Sequence, residues 1–571
     1  MNRNVFSRYM ALFATTIAIL IFYSSFKLIE KGKAHSSYII QNNEEITQNN
    51  NNKNIGIEEK QREYKISWAS WTPIKFKENN SWGEKCIEEY FPDVDIQFIH
   101  FDKSTWEIQL SALIASGTYP DAIRLKDRTM IYTYVRQGVL AKAPYSVVKE
   151  NAGRYIEAME ETGVDHWLTT LINGTNYGIP VLNVRSGSDY CNVWRSDWLE
   201  STSIYKIPDT LEEYEEAFRK FTLEDPDENG IDDTFAYAPI GTEKDIQYQF
   251  NTIFAAHGVF PFTWMVMEDG TYKYGLVMEE AREAMRRLNS WYKNGYIDPD
   301  FMKNDAEIAK AKLLNGKSGF REWRGIWEWR PPRDGGNAGY EYAEALKLNP
   351  NCEFKMGYPP EGSSGKRGLY DWGNVTGAVC FGKHLDNELQ KMGKIIQILE
   401  LFATNEEAAI KLEYGIEGEH YIYDSVTGSK NRLPPYDSGN EGWTLLSPNG
   451  LFGWSRIREV SDALQDNYIV EDFGWNSKNT LLAGINYIPY VNQFVDLEML
   501  KYQIQAREIA DIWELEFITG SKSLDDDWYE FIKAWKESGG EIVTQQVNMM
   551  ARKAIEENLQ NIESSINAIT K

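Results

Sequence analysis

Cysteine is scarce in this chain: Cys86, Cys191, Cys352 and Cys380 are its only four thiols in 571 residues. They lie far apart and form no CxxC pair, which excludes a zinc ribbon and a dithiol redox motif. Isolated core thiols, or at most one disulfide, are the readings left open. Histidine is also sparse, at six residues. His166, His257 and His420 have no metal-ligand spacing and read as structural. HExxH, GxSxG and GxxxxGK[ST] are missing, so zincin, serine-hydrolase and phosphate-loop chemistries have no support. Positive charge is the third shortage. Sixty Lys and Arg against 85 Asp and Glu give a formal net charge of -25, spread over the chain. That field repels phosphate backbones and excludes nucleic acid as a partner, while favouring bound cations.

The chain is long enough for two sizeable cores. Apolar residues make up 42% of it, a globular composition rather than a disordered one. Aromatics are abundant, with 19 Trp and 33 Tyr. Most belong in cores, but flat aromatic faces also suit the apolar faces of sugar rings.

Residues 1–8 carry Arg3 and Arg8 and precede an apolar run over 9–29. A basic start before such a run marks a secretory signal or a signal-anchor helix, and the full run approaches the ~20 residues that span a bilayer. Gly32-Lys33-Ala34 is the one weak cleavage candidate. With no cysteine closing the run, a lipoprotein anchor is excluded. The basic start stays inside and the rest lies outside the membrane, anchored or secreted. Residues 30–62 are polar and Asn-rich, the composition of a disordered tether.

From Tyr64 the pattern turns to strand (65–71), helix, strand (94–100), then an amphipathic helix (105–116) stopped by Gly117, then a strand beginning at Asp121. This alternation predicts a parallel α/β sheet. Thr210 and Glu213 form a capping box. Further helices are predicted over 279–294, 498–519 and 544–566. There is no internal repeat and no second linker. The expected fold is therefore α/β with two lobes joined by several crossing strands.

One segment carries its own chemistry. In Asp225-Pro-Asp-Glu-Asn-Gly-Ile-Asp-Asp-Thr234, oxygen donors fall at positions one, three, five and nine, and Gly230 falls at six. Position seven, Ile231, offers a carbonyl. Calcium takes six to eight hard oxygens, and alternate residues of a tight turn converge to supply them. The bidentate Glu expected at position twelve is replaced by Ala236. The predicted ligands are Asp225, Asp227, Asn229, Ile231 and Asp233, with Thr234, water or a distant group completing a structural Ca2+ site. A solvated acidic turn is the alternative.

Several stretches occur together in order: ASGTYPD (115–121), YGIP (177–180), WRSDWL (194–199), PDTLEE (208–213), the calcium-type loop, GYIDPD (295–300), YPPEG (358–362), YGIEGEHY (414–421) and ITG (518–520). From about residue 62 onward the chain thereby resembles the extracellular solute-binding proteins of family 1, in the large branch with Gram-positive lipoprotein receptors and alginate-binding proteins. The resemblance implies a periplasmic-binding-protein type II fold. Two α/β lobes would close over a ligand by hinge motion, with lobe I at 63–180 and roughly 370–440 and lobe II at roughly 181–369 and 441–571. It also implies a monomeric, non-enzymatic receptor that delivers an oligosaccharide or similar solute to an ABC permease. The alginate-binding members are similar in carrying a calcium loop at the corresponding place; Thr234 departs from their acidic residue.

A sugar site needs aromatic platforms and planar hydrogen-bonding groups. Trp323, in Gly319-Phe-Arg321-Glu-Trp323-Arg324, is favoured by the resemblance. Trp454 lies in a Gly-flanked loop, Trp71 follows the first strand, and Glu417 and Tyr421 lie in a Gly-rich segment. Arg321, with Arg324, Arg330 and Arg333, offers guanidinium forks that match uronate carboxylates. Trp198, Trp291 and Trp528 read as core. A surface glycoside hydrolase, needing two carboxylates about 5–10 Å apart, and an anchored ligand-presenting co-sensor are the competing functions.

Overall fold

The computed structural model describes residues 62–550 and 552, apart from 73–80, 103–104, 163–165, 185–189, 242–248, 330, 332–337, 370–374, 426–427, 438–455 and 465–498. The apolar run at 9–29 lies outside these residues. Among the described residues no helix is long and apolar enough to cross a membrane.

Two main sheets are built from β1 Tyr64–Thr72, β2 Val94–Asp102, β3 Ala122–Leu125, β4 Gly178–Leu182, β5 Tyr190–Arg195, β6 Phe235–Tyr237, β7 Ser318–Gly325, β8 Phe354–Gly357 and β9 Val375–Phe381. The first sheet runs β2-β1-β3-β9-β4. β1 pairs in parallel with β2 and β3, as the strand–helix alternation predicts. β9 returns antiparallel between β3 and β4. The second sheet runs β8-β5-β7-β6.

Each sheet has its own core. Trp68, Ile87, Tyr155, Ile179, Val379, Ile395 and Phe402 pack around the first. Trp194, Trp198, Phe218, Phe221, Tyr237, Trp291, Phe320 and Trp528 pack on the second. The three tryptophans read as core are thus fully buried. The four cysteines are buried and free, and burial pushes the Cys86 thiol up to about 12.

Local sequence explains the elements that frame these cores. Helix α1, Trp82–Tyr90, opens on a capping box in which Ser81 and Glu84 exchange hydrogen bonds. The other Glu84 oxygen accepts from Phe98 N (3.0 Å), and Glu88 accepts from Ile96 N (3.3 Å). Two edge amides of β2 are closed in this way against pairing with another chain. The helix Trp106–Ala115 falls outside the compact unit formed by 64–104 and 119–571; it ends before Gly117, at φ 79°.

Helix α2, Leu211–Leu223, is capped by Thr210, whose side chain accepts from Glu213 N. The reciprocal half of the box is diverted: Glu213 accepts instead from Asp209 N (2.9 Å) and pairs with Lys206. Helix α3, Asn251–Ala256, and helix α4, Glu279–Lys293, cover the second sheet, α4 through Ala281, Ala284, Met285, Leu288 and Trp291. Helix α5, Leu500–Thr519, and helix α6, Trp528–Trp535, complete that core. The helical tail predicted at 544–566 begins earlier than read, at 541, and is described to 550.

The chain passes from the first sheet to the second after β4 and returns before β9. At the first passage Asn183 bridges Arg456, and the Arg458 guanidinium donates to the Val184 carbonyl. Ile457 and Val460 are buried in the first core. Residues 456–464 therefore pack with the first sheet.

Candidate functional site

The acidic loop follows α2 directly. Asp225, Glu228 and Gly230 have φ of 46°, 54° and 77°, so the backbone turns sharply back on itself. Asp225 accepts from Asn229 N (3.2 Å) through Oδ1 and from Gly230 N (3.0 Å) through Oδ2. Asn229 donates to Asp227 Oδ2 (2.8 Å) and accepts from Ile231 N (2.7 Å). Asp227 Oδ1 is buried without a partner. Burial, then the hydrogen bond with Asp225 and the charges of Asp225 and Asp233, hold the Asp227 carboxyl above the usual carboxylate range. Carboxylates crowded around an unpaired buried acceptor are the donor set a hard cation neutralises.

Two predicted ligands are otherwise engaged. Asp233 is paired with Lys317, whose hydrogen bond lowers its carboxyl, and the Ile231 carbonyl accepts from Asp233 N. Thr234 donates to the Phe221 carbonyl at the end of α2 (2.8 Å). Among the described residues no group of three or more His, Cys, Asp or Glu side chains is arranged to hold a metal. The fit thus rests on Asp225, Asp227 and Asn229, with Asp233 joining if Lys317 releases it.

β7 carries the second constellation. Phe320 and Arg321 pair with Trp194 and Val193 of β5, and Arg324 and Gly325 pair with Cys191 and Tyr190. Glu322 and Trp323 therefore stand opposite Asn192 alone, as a β-bulge. In a regular strand Arg321 and Arg324 would face opposite sides. The extra residue brings both guanidinia to one carboxylate: Glu341 Oε2 lies 3.2 Å from Arg321 and Oε1 lies 3.3 Å from Arg324. Arg324 also pairs with Glu328 (2.8 Å), which accepts from Tyr340 (2.7 Å).

Arg321, expected as a fork for ligand carboxylates, is placed within this cluster. Its side chain is only 8% exposed and is matched to Glu341, as a buried charge must be. Arg330 and Arg333 lie outside the described residues. Trp329 is packed in the small core around β8.

Sequence reasoning missed Glu322. It is buried, accepting from Tyr237 Oη (2.9 Å) and Thr252 N (2.5 Å) at the start of α3. Burial pushes its carboxyl up to about 7 despite those bonds. The available signal was a Glu two residues after the core Phe320, at the inward position of a strand.

The remaining candidates are dispersed. Trp71 lies near the C-terminal end of β1, paired with Phe101 of β2. Trp454 lies outside the described residues. Glu417 is exposed and bridges Tyr421. Tyr421 is 8% exposed and set edge-on to Tyr414 at 5.7 Å, so its ring is spent on packing. Beside it His420 lies between Trp82 (4.8 Å) and Tyr436 (4.9 Å) and accepts from Ile416 N, a structural role.

Comparison with known proteins places this geometry among relatives. The family described as bacterial extracellular solute-binding protein matches residues 84–388. The polygalacturonan/rhamnogalacturonan-binding protein YtcQ of Bacillus subtilis is 26% identical over 358 residues, covering 62% of this chain and 66% of that protein. Lipoprotein LipO of the same organism is 22% identical over 489 residues, covering 82% and 88%. Among solved structures, the S. pneumoniae ABC-transporter substrate-binding protein FusA, as an EF-hand mutant in complex with fructo-nystose, superposes with a TM-score of 0.64. It is 15% identical and covers 86% of this chain and 100% of its own. At that identity the likeness shows a shared fold.

Proposed function

This chain belongs to the bacterial extracellular solute-binding proteins, and from that membership we propose that it captures an acidic oligosaccharide of the pectic type and passes it to an ABC permease. The observation that carries this reading is the span of the family match, which runs from within α1 over β2 to β9 and ends just past β9. The polygalacturonan-binding relative supports the ligand class.

In this reading the two sheet-centred bodies are lobes, with 183–184 and 358–369 among the crossings at their hinge. They close over the ligand and the permease reads the closed form. Trp323, Trp71 and Trp454 are the aromatic platforms, and Glu417 is an exposed polar group within reach of solvent. The run at 9–29 holds the receptor at the outer face of the membrane or is removed to release it. Ca2+ at Asp225, Asp227 and Asn229, with the Ile231 carbonyl and Asp233, is a structural ion. The receptor works as a monomer and makes no bonds of its own.

The test is a thermal-shift titration of the full chain against galacturonic-acid oligosaccharides, with the sugar recovered afterwards. A ligand that binds only the folded state raises the melting temperature, by about 2.7 kcal/mol of added stability at a hundredfold excess over Kd. The expected outcome is a dose-dependent rise with the oligosaccharide recovered intact. Shortened products would point to the hydrolase instead, and no shift with any glycan would remove the receptor reading.

A further inference from the structure

The bulge at Glu322-Trp323 is pinned from both faces of its sheet. On one face Arg321 and Arg324 grip the two oxygens of Glu341. On the other Glu322 accepts from Tyr237 Oη and from Thr252 N. The opposite strand is tied to the same point, because Asn192 donates to Thr252 Oγ1 (3.3 Å) and to Tyr214 Oη (2.9 Å). Thr252 thus links both sides of the bulge. Glu328 accepts from Gly325 N (3.1 Å) and fixes its exit from β7. A bulge leaves ladder positions unpaired and re-aims the chain, so it persists only where neighbours over-determine it. Five buried or half-buried charged side chains are a large commitment for one irregularity in a short strand.

We infer that this bulge is the positioning device of the ligand platform, and that Glu322 is a positioning residue that sets sugar affinity through Trp323 without touching the sugar. The inference rests on the reading of Trp323 as a platform. A carboxylate held by a helix amide and a tyrosine hydroxyl fixes the backbone next to Trp323, and the Arg321–Glu341–Arg324 clamp fixes it from the other face. A platform must be rigid before ligand arrives, or its ordering is subtracted from affinity.

The full chain labelled with 5-fluorotryptophan tests this by 19F NMR, with Trp323→Phe identifying the Trp323 resonance. Glu322→Ala is expected to shift or split that resonance in the ligand-free protein. It is also expected to weaken binding of a galacturonic-acid oligosaccharide by about tenfold or more, a loss of about 1.4 kcal/mol. Glu322→Gln, which keeps an acceptor, recovers most of the affinity. Tyr237→Phe keeps the ring in the core, removes only the hydroxyl, and gives the same effect in smaller measure; it decides the matter if Glu322→Ala does not fold. A Trp323 resonance and an affinity unchanged in these variants overturn the positioning role. A resonance that moves while Trp323→Phe binds the sugar normally overturns instead the assignment of Trp323 as the platform.

Discussion

Asp121 closes the ASGTYPD stretch, and the structure gives it four donors. Its Oδ2 accepts from Ser67 N (2.7 Å) and Oγ (2.9 Å), and its Oδ1 from His384 (2.8 Å) and Lys391 (2.6 Å). Burial alone would raise its carboxyl, but the bonds from His384, Lys391 and Ser67 outweigh it and the net direction is down. A group lowered on folding adds stability above its unfolded value and loses it as pH falls through the folded value. Asp121→Ala should therefore cost about 3–5 kcal/mol in urea denaturation at pH 7. The difference from the native chain should shrink as pH drops below the carboxylate range. An equal difference at every pH would show that packing, not charge, is lost. The sequence marks Asp121 as part of a recurring motif but hides its partners, which come from β1 and from residues more than 260 positions away. Arg321 shows the same limit from the opposite side: a fork legible as a ligand group proved to be matched within the fold.

Elements were most legible where caps and periodicity agree. Gly295, at φ 75°, stops α4 where the apolar period ends, and Thr210 caps α2. The C-terminal layer was less so. Beyond α6 the chain passes a π-type turn at Lys536–Gly540 in which Gly539 adopts φ 117°. A Cβ there would lie 2.6 Å from that of Tyr502 on α5. Gly539 thus lets two helices approach while the chain kinks. Gly539→Ala should destabilise the protein by more than about 1 kcal/mol, since the conformation and the space both refuse a side chain. Hydrogen exchange should show the loss first in α5 and α6; unchanged protection there would refute the account. A local sequence pattern signals neither an approach nor a kink of this kind, because Tyr502 is remote in the chain.

For the whole molecule, a net charge of -25 makes self-repulsion a general cost and a bound cation a general benefit. The acidic loop leaves α2 and leads into β6, and Lys317 at the start of β7 reaches Asp233. An ion held there ties the end of α2 to the start of β6. Addition of Ca2+ at constant ionic strength should raise the melting temperature, and a chelator should reverse it. Asp225→Ala with Asp227→Ala should abolish the response while leaving the metal-free melting temperature little changed. Identical melting with ion and with chelator would reduce the loop to a solvated turn.

By itself the sequence determined the α/β class, the caps and strand alternation, the buried tryptophans at helical spacing and the donor order of the acidic loop. These depend on interactions among neighbours a few residues apart, so periodicity and composition record them. Only the tertiary structure decided which charges are matched, where β7 bulges, and that residues 456–464 join the first core. Those outcomes pair residues tens to hundreds of positions apart, and a buried guanidinium or carboxyl takes its role from the partner that folding brings to it.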